Sequence, residues 1–140
     1  MPLFAGHARD AVAALETGLE IRHIKAGKKV FKAGTAGDEL FLVRYGLVKV
    51  SLSIHKKESY HLATCGPGDI VASMGFLDAK PHAADALALT DAEVYVLPRS
   101  RFLELTETDR GLALAIVEGI AHNLSERLRA AVTEIQSLRG

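Results

Sequence analysis

Closely spaced glycine residues constrain the fold of this chain more than any other feature. Gly27, Gly34, Gly37 and Gly46 separate short runs of β-branched and aromatic residues. Short runs of this kind with glycine at each corner predict an antiparallel sandwich or barrel. The run from Val48 to Ile54 alternates apolar and polar residues, which predicts a strand with one face in water.

Two hairpins are expected within this region. Residues 48–54 would pair with residues 59–65 across the polar turn Lys56-Lys57-Glu58. Residues 83–89 would pair with residues 92–97 around Thr90 and Asp91. The strand region, residues 20–98, should end at Pro98, because a proline has no N–H to donate to a strand ladder.

Helices are expected at both ends. Residues 8–19 carry apolar side chains at helical spacing and should form a short N-terminal helix. Residues 99–107 should form a second short helix, which Ser100 would cap. The last helix should span residues 109–138, with Thr108 or Asp109 as its cap.

A second pattern runs along the last predicted helix. Its apolar residues recur in alternating steps of four and three, which is the seam of a coiled coil. Packing on the chain's own strands would explain the early part, but a thirty-residue helix is about 45 Å long. We therefore expect a homodimer through this seam: Val117, Ala121, Leu124, Leu128, Ala131, Ile135 and Leu138.

The stretch from Gly68 to Ala84 interrupts the strand pattern. Small residues, Ala72, Ser73 and Gly75, precede a single apolar turn. The first N–H groups of a short helix have no partner within the helix, so this segment could receive the phosphate of a small molecule. The alternative is a compact turn that joins two strands.

Composition limits the classes of function. The chain of 140 residues has 17 basic and 17 acidic side chains, which argues against direct binding to nucleic acid. A single cysteine, Cys65, fits a reducing compartment. No apolar run reaches the roughly 18 residues of a membrane span, so we expect a cytoplasmic protein with no membrane insertion.

Enzyme chemistry is not expected. No set of His, Cys, Asp and Glu has metal-ligand spacing, and His55 and His61, on opposite arms of a predicted hairpin, would make a weak pair. Cys65, Ser73 and His82 lie near one another in sequence but lack an orienting carboxylate motif. A small barrel enzyme remains an alternative that needs a metal or an acid–base pair.

Particular residues resemble the cyclic-nucleotide-binding domain of the cAMP-receptor-protein type. The resemblance extends over residues 20–138 and implies an eight-stranded antiparallel β-roll, a jelly-roll or double-stranded β-helix with flanking helices, as one domain over residues 1–140. The matching segments are residues 27–31, 34–38, 40–46 with Val48, 66–69 and 96–102.

This resemblance makes residues 68–84 the phosphate-binding cassette, with a cyclic nucleotide (cAMP or cGMP) or another small anion as its ligand. Ser73 occupies the position of the family glutamate that binds the ribose, and His82 that of the arginine that pairs with the phosphate. Ser73 could instead be a helix cap and His82 a solvated turn residue. The implied ligand residues are Ala72, Ser73, Met74, Gly75, His82, Ala83 and Ala84.

The two replacements predict weak or absent binding of ordinary cyclic nucleotides. A hydrogen bond to a charged group contributes about 1.5–3 kcal/mol, so the loss of two corresponds to roughly a hundredfold to ten-thousandfold in affinity. We therefore expect a non-catalytic regulatory or sensor module that signals or assembles through its last helix.

The alternative is an authentic cAMP or cGMP receptor domain whose rearranged cassette holds the phosphate through backbone N–H groups and a His82 imidazole that is charged in acid. The C-terminal helix also resembles domains fused to sulfate transporters and to bacterial glutaminases. That resemblance implies a host or partner protein that is a transporter or an enzyme.

Overall fold

The computed structural model describes residues 19–55, 58–71 and 73–139, with the backbone alone at residues 54, 55, 73–75 and 139. The helix expected over residues 8–19 lies outside these residues, apart from Leu19. Leu19 is half-buried against an apolar cluster under the helices.

The described residues form eight strands and three helices. The strands are β1 (Glu20–Ile24), β2 (Lys29–Phe31), β3 (Glu39–Tyr45), β4 (Val48–His55), β5 (Glu58–Cys65), β6 (Ile70–Val71), β7 (Asp85–Ala88) and β8 (Ala92–Pro98). The helices are α1 (Ser73–Asp78), α2 (Arg99–Thr108) and α3 (Arg110–Arg139).

The strands form two four-stranded antiparallel sheets. The first has the order β1-β8-β3-β6 and the second the order β2-β7-β4-β5. This arrangement, with helices at one side and a thirty-residue C-terminal helix, confirms the expected antiparallel roll. Val48 and Val50 are buried while Lys49 and Ser51 are partly exposed, as the alternation in β4 predicted.

The first sheet is covered on both faces, by the second sheet on one and by the helices on the other. Each covered face has its own apolar cluster. Along β3, Phe41 and Val43 face the second sheet and belong to the inner cluster, which lies between the sheets. Leu40 and Leu42 face the opposite way, into the outer cluster under α1, α2 and α3. The cassette segment, residues 68–84, begins at the edge of the first sheet and returns to the second.

The second predicted hairpin is wrong. β7 pairs with β2 and β4 in the second sheet, whereas β8 pairs with β1 and β3 in the first. The turn between them changes sheets because it is tied to other turns: Thr90 Oγ1 accepts from the N–H of Leu47 at 3.1 Å, and Asp91 Oδ1 accepts from that of Ala26 at 2.9 Å.

The cap expected for the second helix is also wrong. Pro98, not Ser100, occupies the N-cap position of α2, and no side chain caps this end. The first N–H of the helix, that of Arg99, donates instead to the carbonyl of Asp38 at 2.8 Å. At the start of α3, Asp109 Oδ1 accepts from the N–H of Leu112 at 3.1 Å, which is the capping bond expected there.

Candidate functional site

The cassette starts with β6, continues into α1 and is anchored by an aromatic contact. Phe76 of α1 is buried, and its ring lies edge-on to that of Phe102 with the two centroids 5.3 Å apart. The Arg99 guanidinium lies 5.6 Å from the centroid of the Phe76 ring. α1 is followed by Ala79, whose φ of +61° is a left-handed conformation that favours glycine. The short helix is therefore packed firmly on α2.

The expected ligand residues divide into three groups. Ala72 lies outside the described residues, and Ser73, Met74 and Gly75 form the first turn of α1. Ser73 is thus the first helical residue, so it does not occupy the N-cap position that the helix-cap alternative requires. His82 and Ala84 are buried, whereas Ala83 is exposed.

His82 is not the solvated turn residue that the sequence suggested. It is only 6% exposed, and its imidazole stacks on the ring of Phe31 with centroids 3.8 Å apart and planes 16° from parallel. Burial lowers the pKa of His82 below its ordinary value of 6.5, although the Asp38 and Glu39 carboxylates oppose this shift. Near neutral pH the imidazole is therefore uncharged.

The backbone holds His82 in this position. Its N–H donates to the carbonyl of Thr35 at 2.9 Å, and its carbonyl accepts from the N–H of Gly34 at 2.8 Å. Gly34 has a φ of +86°, a conformation that suits glycine, so the turn after β2 can close on the cassette. Asp85 adds a third tie by accepting from the N–H of Ala33 at 2.8 Å.

A row of stacked groups extends from His82 into the roll. Phe31 stacks on Phe41 with centroids 5.7 Å apart, and the Arg22 guanidinium lies 5.8 Å from the Phe41 centroid. That guanidinium also reaches the Glu39 carboxylate at 3.4 Å. The positive charge at this end of the row is thus already paired with a carboxylate.

Helix α3 contacts an edge strand of each sheet, β6 of the first and β5 of the second. Arg127 Nη2 donates to the carbonyl of Ile70 at 3.2 Å and lies 3.6 Å from Cys65 Sγ. Two helix turns further along, Glu134 accepts a hydrogen bond from the Tyr60 hydroxyl of β5. The helix thereby touches the strand that leads into the cassette.

Cys65 is shielded by these contacts. It is the single cysteine of the chain and is 3% exposed. Burial raises the pKa of its thiol, while the nearby Arg127 acts in the opposite direction to a smaller extent. The thiol is therefore protonated and unreactive while α3 remains in place.

Most of the seam of α3 is exposed. Leu124 is half-buried against the outer cluster, but Val117, Ala121 and Ala131 are exposed, and the leucine and isoleucine side chains of the distal seam have high exposed fractions. The values are 67% for Leu128, 59% for Ile135 and 81% for Leu138. The face that packs on the chain itself carries Leu112, Ala113, Ile116, Ile120 and Asn123.

Sequence reasoning missed Phe31 and Arg127. Phe31 carries no local signal, because its partner His82 belongs to a distant segment. Arg127 does carry one: with Ile116, Ile120 and Asn123 it recurs in steps of four, three and four, so these polar residues continue the apolar face of α3.

His55 and His61, which the sequence could have placed opposite each other, do not face each other on the first hairpin. The register places Ser51 opposite His61 and Glu58 opposite His55, so the two histidines lie at different positions along the hairpin. His61 Nε2 instead lies 2.8 Å from Thr64 Oγ1. Among the described residues, no group of three His, Cys, Asp or Glu side chains is arranged to hold a metal ion.

A concavity of about 260 Å³ lies away from the cassette, beside the turns that join the sheets, and is lined in part by His23, Tyr45 and Glu93. Glu93 is engaged by Arg44 and by His23 Nδ1, the latter at 3.1 Å. The polar edge of this concavity is thus occupied by internal ion pairs, and the cassette is the better candidate for a ligand site.

No helix within residues 19–55, 58–71 and 73–139 combines the length and apolar character that a membrane crossing needs.

Comparison with known proteins agrees with this geometry. The chain is 33% identical over 137 residues to the cyclic AMP receptor protein of Thermus thermophilus, covering 98% of this chain and 62% of that protein. It is 31% identical over 129 residues to glutaminase 2 of Bradyrhizobium diazoefficiens, covering 92% of this chain and 20% of the enzyme. The chain therefore spans less than two thirds of these curated relatives.

The crystal structure of the Thermus thermophilus catabolite activator protein superposes with a TM-score of 0.82 at 30% identity, covering 99% of this chain and 63% of that one. A family model described as "Cyclic nucleotide-binding domain" matches residues 21–109. The resemblance seen in the sequence is confirmed, and the chain belongs to the cyclic nucleotide-binding domain family.

Proposed function

We propose that this chain is a non-catalytic regulatory or sensor domain that binds ordinary cyclic nucleotides weakly or not at all near neutral pH. The observation that carries this proposal is the state of His82, which is buried, stacked and uncharged where the family arginine would meet a phosphate. The remaining candidate ligand residues are Ala72, Ser73, Met74, Gly75, Ala83 and Ala84.

Charge explains why the proposal favours weak binding. Neither Ser73 nor a neutral imidazole can supply the charged partner that the family residues supply, and each such hydrogen bond contributes about 1.5–3 kcal/mol. Arg22, which lies at the other end of the stacked row, is paired with Glu39. The natural ligand would then be a small molecule other than cAMP or cGMP, or an anion held by other groups.

A second candidate function is that of an authentic cAMP or cGMP receptor with a rearranged cassette. The similarity to a cyclic AMP receptor protein along nearly the whole chain favours it. This candidate needs His82 to leave Phe31 and to become charged when a phosphate arrives. Its affinity should therefore rise in acid and disappear in His82→Ala.

For assembly, we propose a homodimer through the exposed seam of α3. The apolar side chains of Leu128, Ile135 and Leu138 are exposed along one face of α3, and contiguous apolar patches of this kind mark interaction sites. Their spacing suits a second copy of the same helix. We also propose that the domain serves a larger protein, an enzyme or a transporter, in the cytoplasm, and that it does not bind nucleic acid directly. The similarity to a glutaminase over 20% of that enzyme supports an enzyme as the larger protein.

A thermal-shift titration with cAMP and cGMP at pH 6 and pH 7.5 tests the proposed function. A ligand at a hundred times its Kd stabilises a protein by about 2.7 kcal/mol, which is readily measured. The wild type should show no shift at pH 7.5 with millimolar nucleotide. The double variant Ser73→Glu, His82→Arg, which restores the two charged family residues, should show a clear shift.

The double variant Ser73→Gln, His82→Gln is the matched control, because it changes side-chain size without adding charge. It should behave as the wild type does. A wild-type shift of several degrees at pH 7.5 would contradict the proposal. A shift confined to pH 6 and lost in His82→Ala would favour the receptor instead.

A further inference from the structure

We propose that Phe31 determines which ligands this site accepts: by stacking on His82 it holds the imidazole inside the roll and so excludes an anionic group from the cassette. This inference rests on the proposed function and assigns its cause to a residue outside the cassette. The excluded class is a phosphate-bearing ligand such as a cyclic nucleotide.

Geometry is the first argument. The imidazole and the Phe31 ring lie 3.8 Å apart and 16° from parallel, which is full face contact. Phe31 is itself backed by Phe41, which is 1% exposed and belongs to the inner cluster. The imidazole thus rests on an aromatic surface that the core supports.

The turn after β2 connects both partners of the stack. Phe31 ends β2, and the residues that follow it bind the cassette through Gly34 N–His82 O at 2.8 Å and His82 N–Thr35 O at 2.9 Å. The same turn therefore brings the backbones of the two residues together, which places their rings within stacking distance.

The carboxylates near His82 act against the neutral imidazole, but burial has the larger effect. The carboxylates of Asp38 and Glu39 lie close enough to favour the imidazolium, yet burial outweighs them and the pKa of His82 is lowered. Glu39 is shared with Arg22, and Asp85 lies 3.7 Å from Lys29 Nζ. Removing the aromatic cover should admit water to the imidazole, after which the two carboxylates would favour its charged form.

The test is Phe31→Leu, which keeps an apolar side chain but removes the stacking surface. Titration of the His82 imidazole by NMR should show its pKa rising toward the ordinary value of about 6.5. Binding of cAMP and of inorganic phosphate at pH 6, measured by calorimetry, should become about tenfold tighter than in the wild type, because a charged donor becomes available. Phe31→Tyr keeps the stack, and Val30→Ala alters the adjacent residue of β2, so both should behave as the wild type does.

An unchanged His82 pKa in folded Phe31→Leu would overturn the inference, and so would a raised pKa with no gain in affinity for either probe. The proposed function is judged separately, on the affinity of the wild type at pH 7.5. Should Phe31→Leu not fold, the wild type alone decides: the Phe31 ring protons must shift as His82 titrates, and their failure to do so would refute the stack.

Discussion

Arg127 shows how much a single residue can depend on its surroundings. It lies on the face of α3 that packs on the chain, yet it carries a charge. Its guanidinium is accommodated because the carbonyl of Ile70, at the free edge of β6, accepts a hydrogen bond at 3.2 Å. Cys65 lies directly beside this contact, so the thiol reports whether α3 is in place.

Arg127→Ala should make Cys65 react about tenfold faster with a thiol reagent, because the distal half of α3 would open more often. Loss of the guanidinium also removes a group that lowers the thiol pKa. That effect alone would slow the reaction, so a faster reaction must come from access. Arg129→Ala changes an exposed arginine on the same helix and should leave the rate unchanged. Equal rates in both variants and the wild type would show that Cys65 is protected by other contacts.

At the scale of the element, α3 has two distinct halves. The first half packs through Ile116 and Ile120 on the outer cluster. In the second half, residues 128–138 are all exposed, although Glu134 touches Tyr60. A thirty-residue helix is about 45 Å long, longer than the strands it crosses. The apolar residues of the second half therefore have no partner among the described residues of the same chain.

Leu128→Lys should convert the proposed dimer into a monomer, because it would place a charge in each of two facing helices at the seam. Light scattering gives the mass directly. Ala130→Lys adds the same charge off the seam and should leave the mass unaltered. A wild-type mass equal to that of a monomer, or a Leu128→Lys variant with the mass of a dimer, would rule out this seam.

For the whole molecule, the decisive contact is the one between the first sheet and the helices. The outer cluster combines strand residues such as Leu42 and Tyr95 with Phe76, Leu105 and Ile116 from the three helices. The cassette helix and the C-terminal helix thus share one apolar layer. Substitutions in this layer should affect the stability of the entire fold.

Ile116→Ala tests this expectation, since Ile116 has 0% exposure at the centre of the layer. Removing a buried side chain of this size costs about 2–5 kcal/mol. Leu114→Ala, two positions away and 57% exposed, should cost no more than about 0.5 kcal/mol. Urea unfolding measures both, and similar costs for the two variants would mean that α3 does not contribute to the core as the contacts suggest.

The sequence by itself determined the order and type of the elements within the described residues. The alternation in β4, the glycine corners and the four-three spacing of α3 are local patterns, because they follow from the two-residue repeat of strands and the 3.6-residue repeat of helices. The glycine-rich segments also carried the family resemblance. Asp109 as the cap of α3 belongs with these features, since a cap acts within a single helix turn.

Only the tertiary structure decided the contacts between distant segments. The turn at Thr90 and Asp91 has the composition of a hairpin, but its bonds to Leu47 and Ala26 lead β7 and β8 into different sheets. His82 follows a proline in a polar segment, and yet Phe31 and the turn after β2 bury it. Whether a side chain is solvated or buried depends on what the rest of the chain places beside it, and no local pattern contains that information.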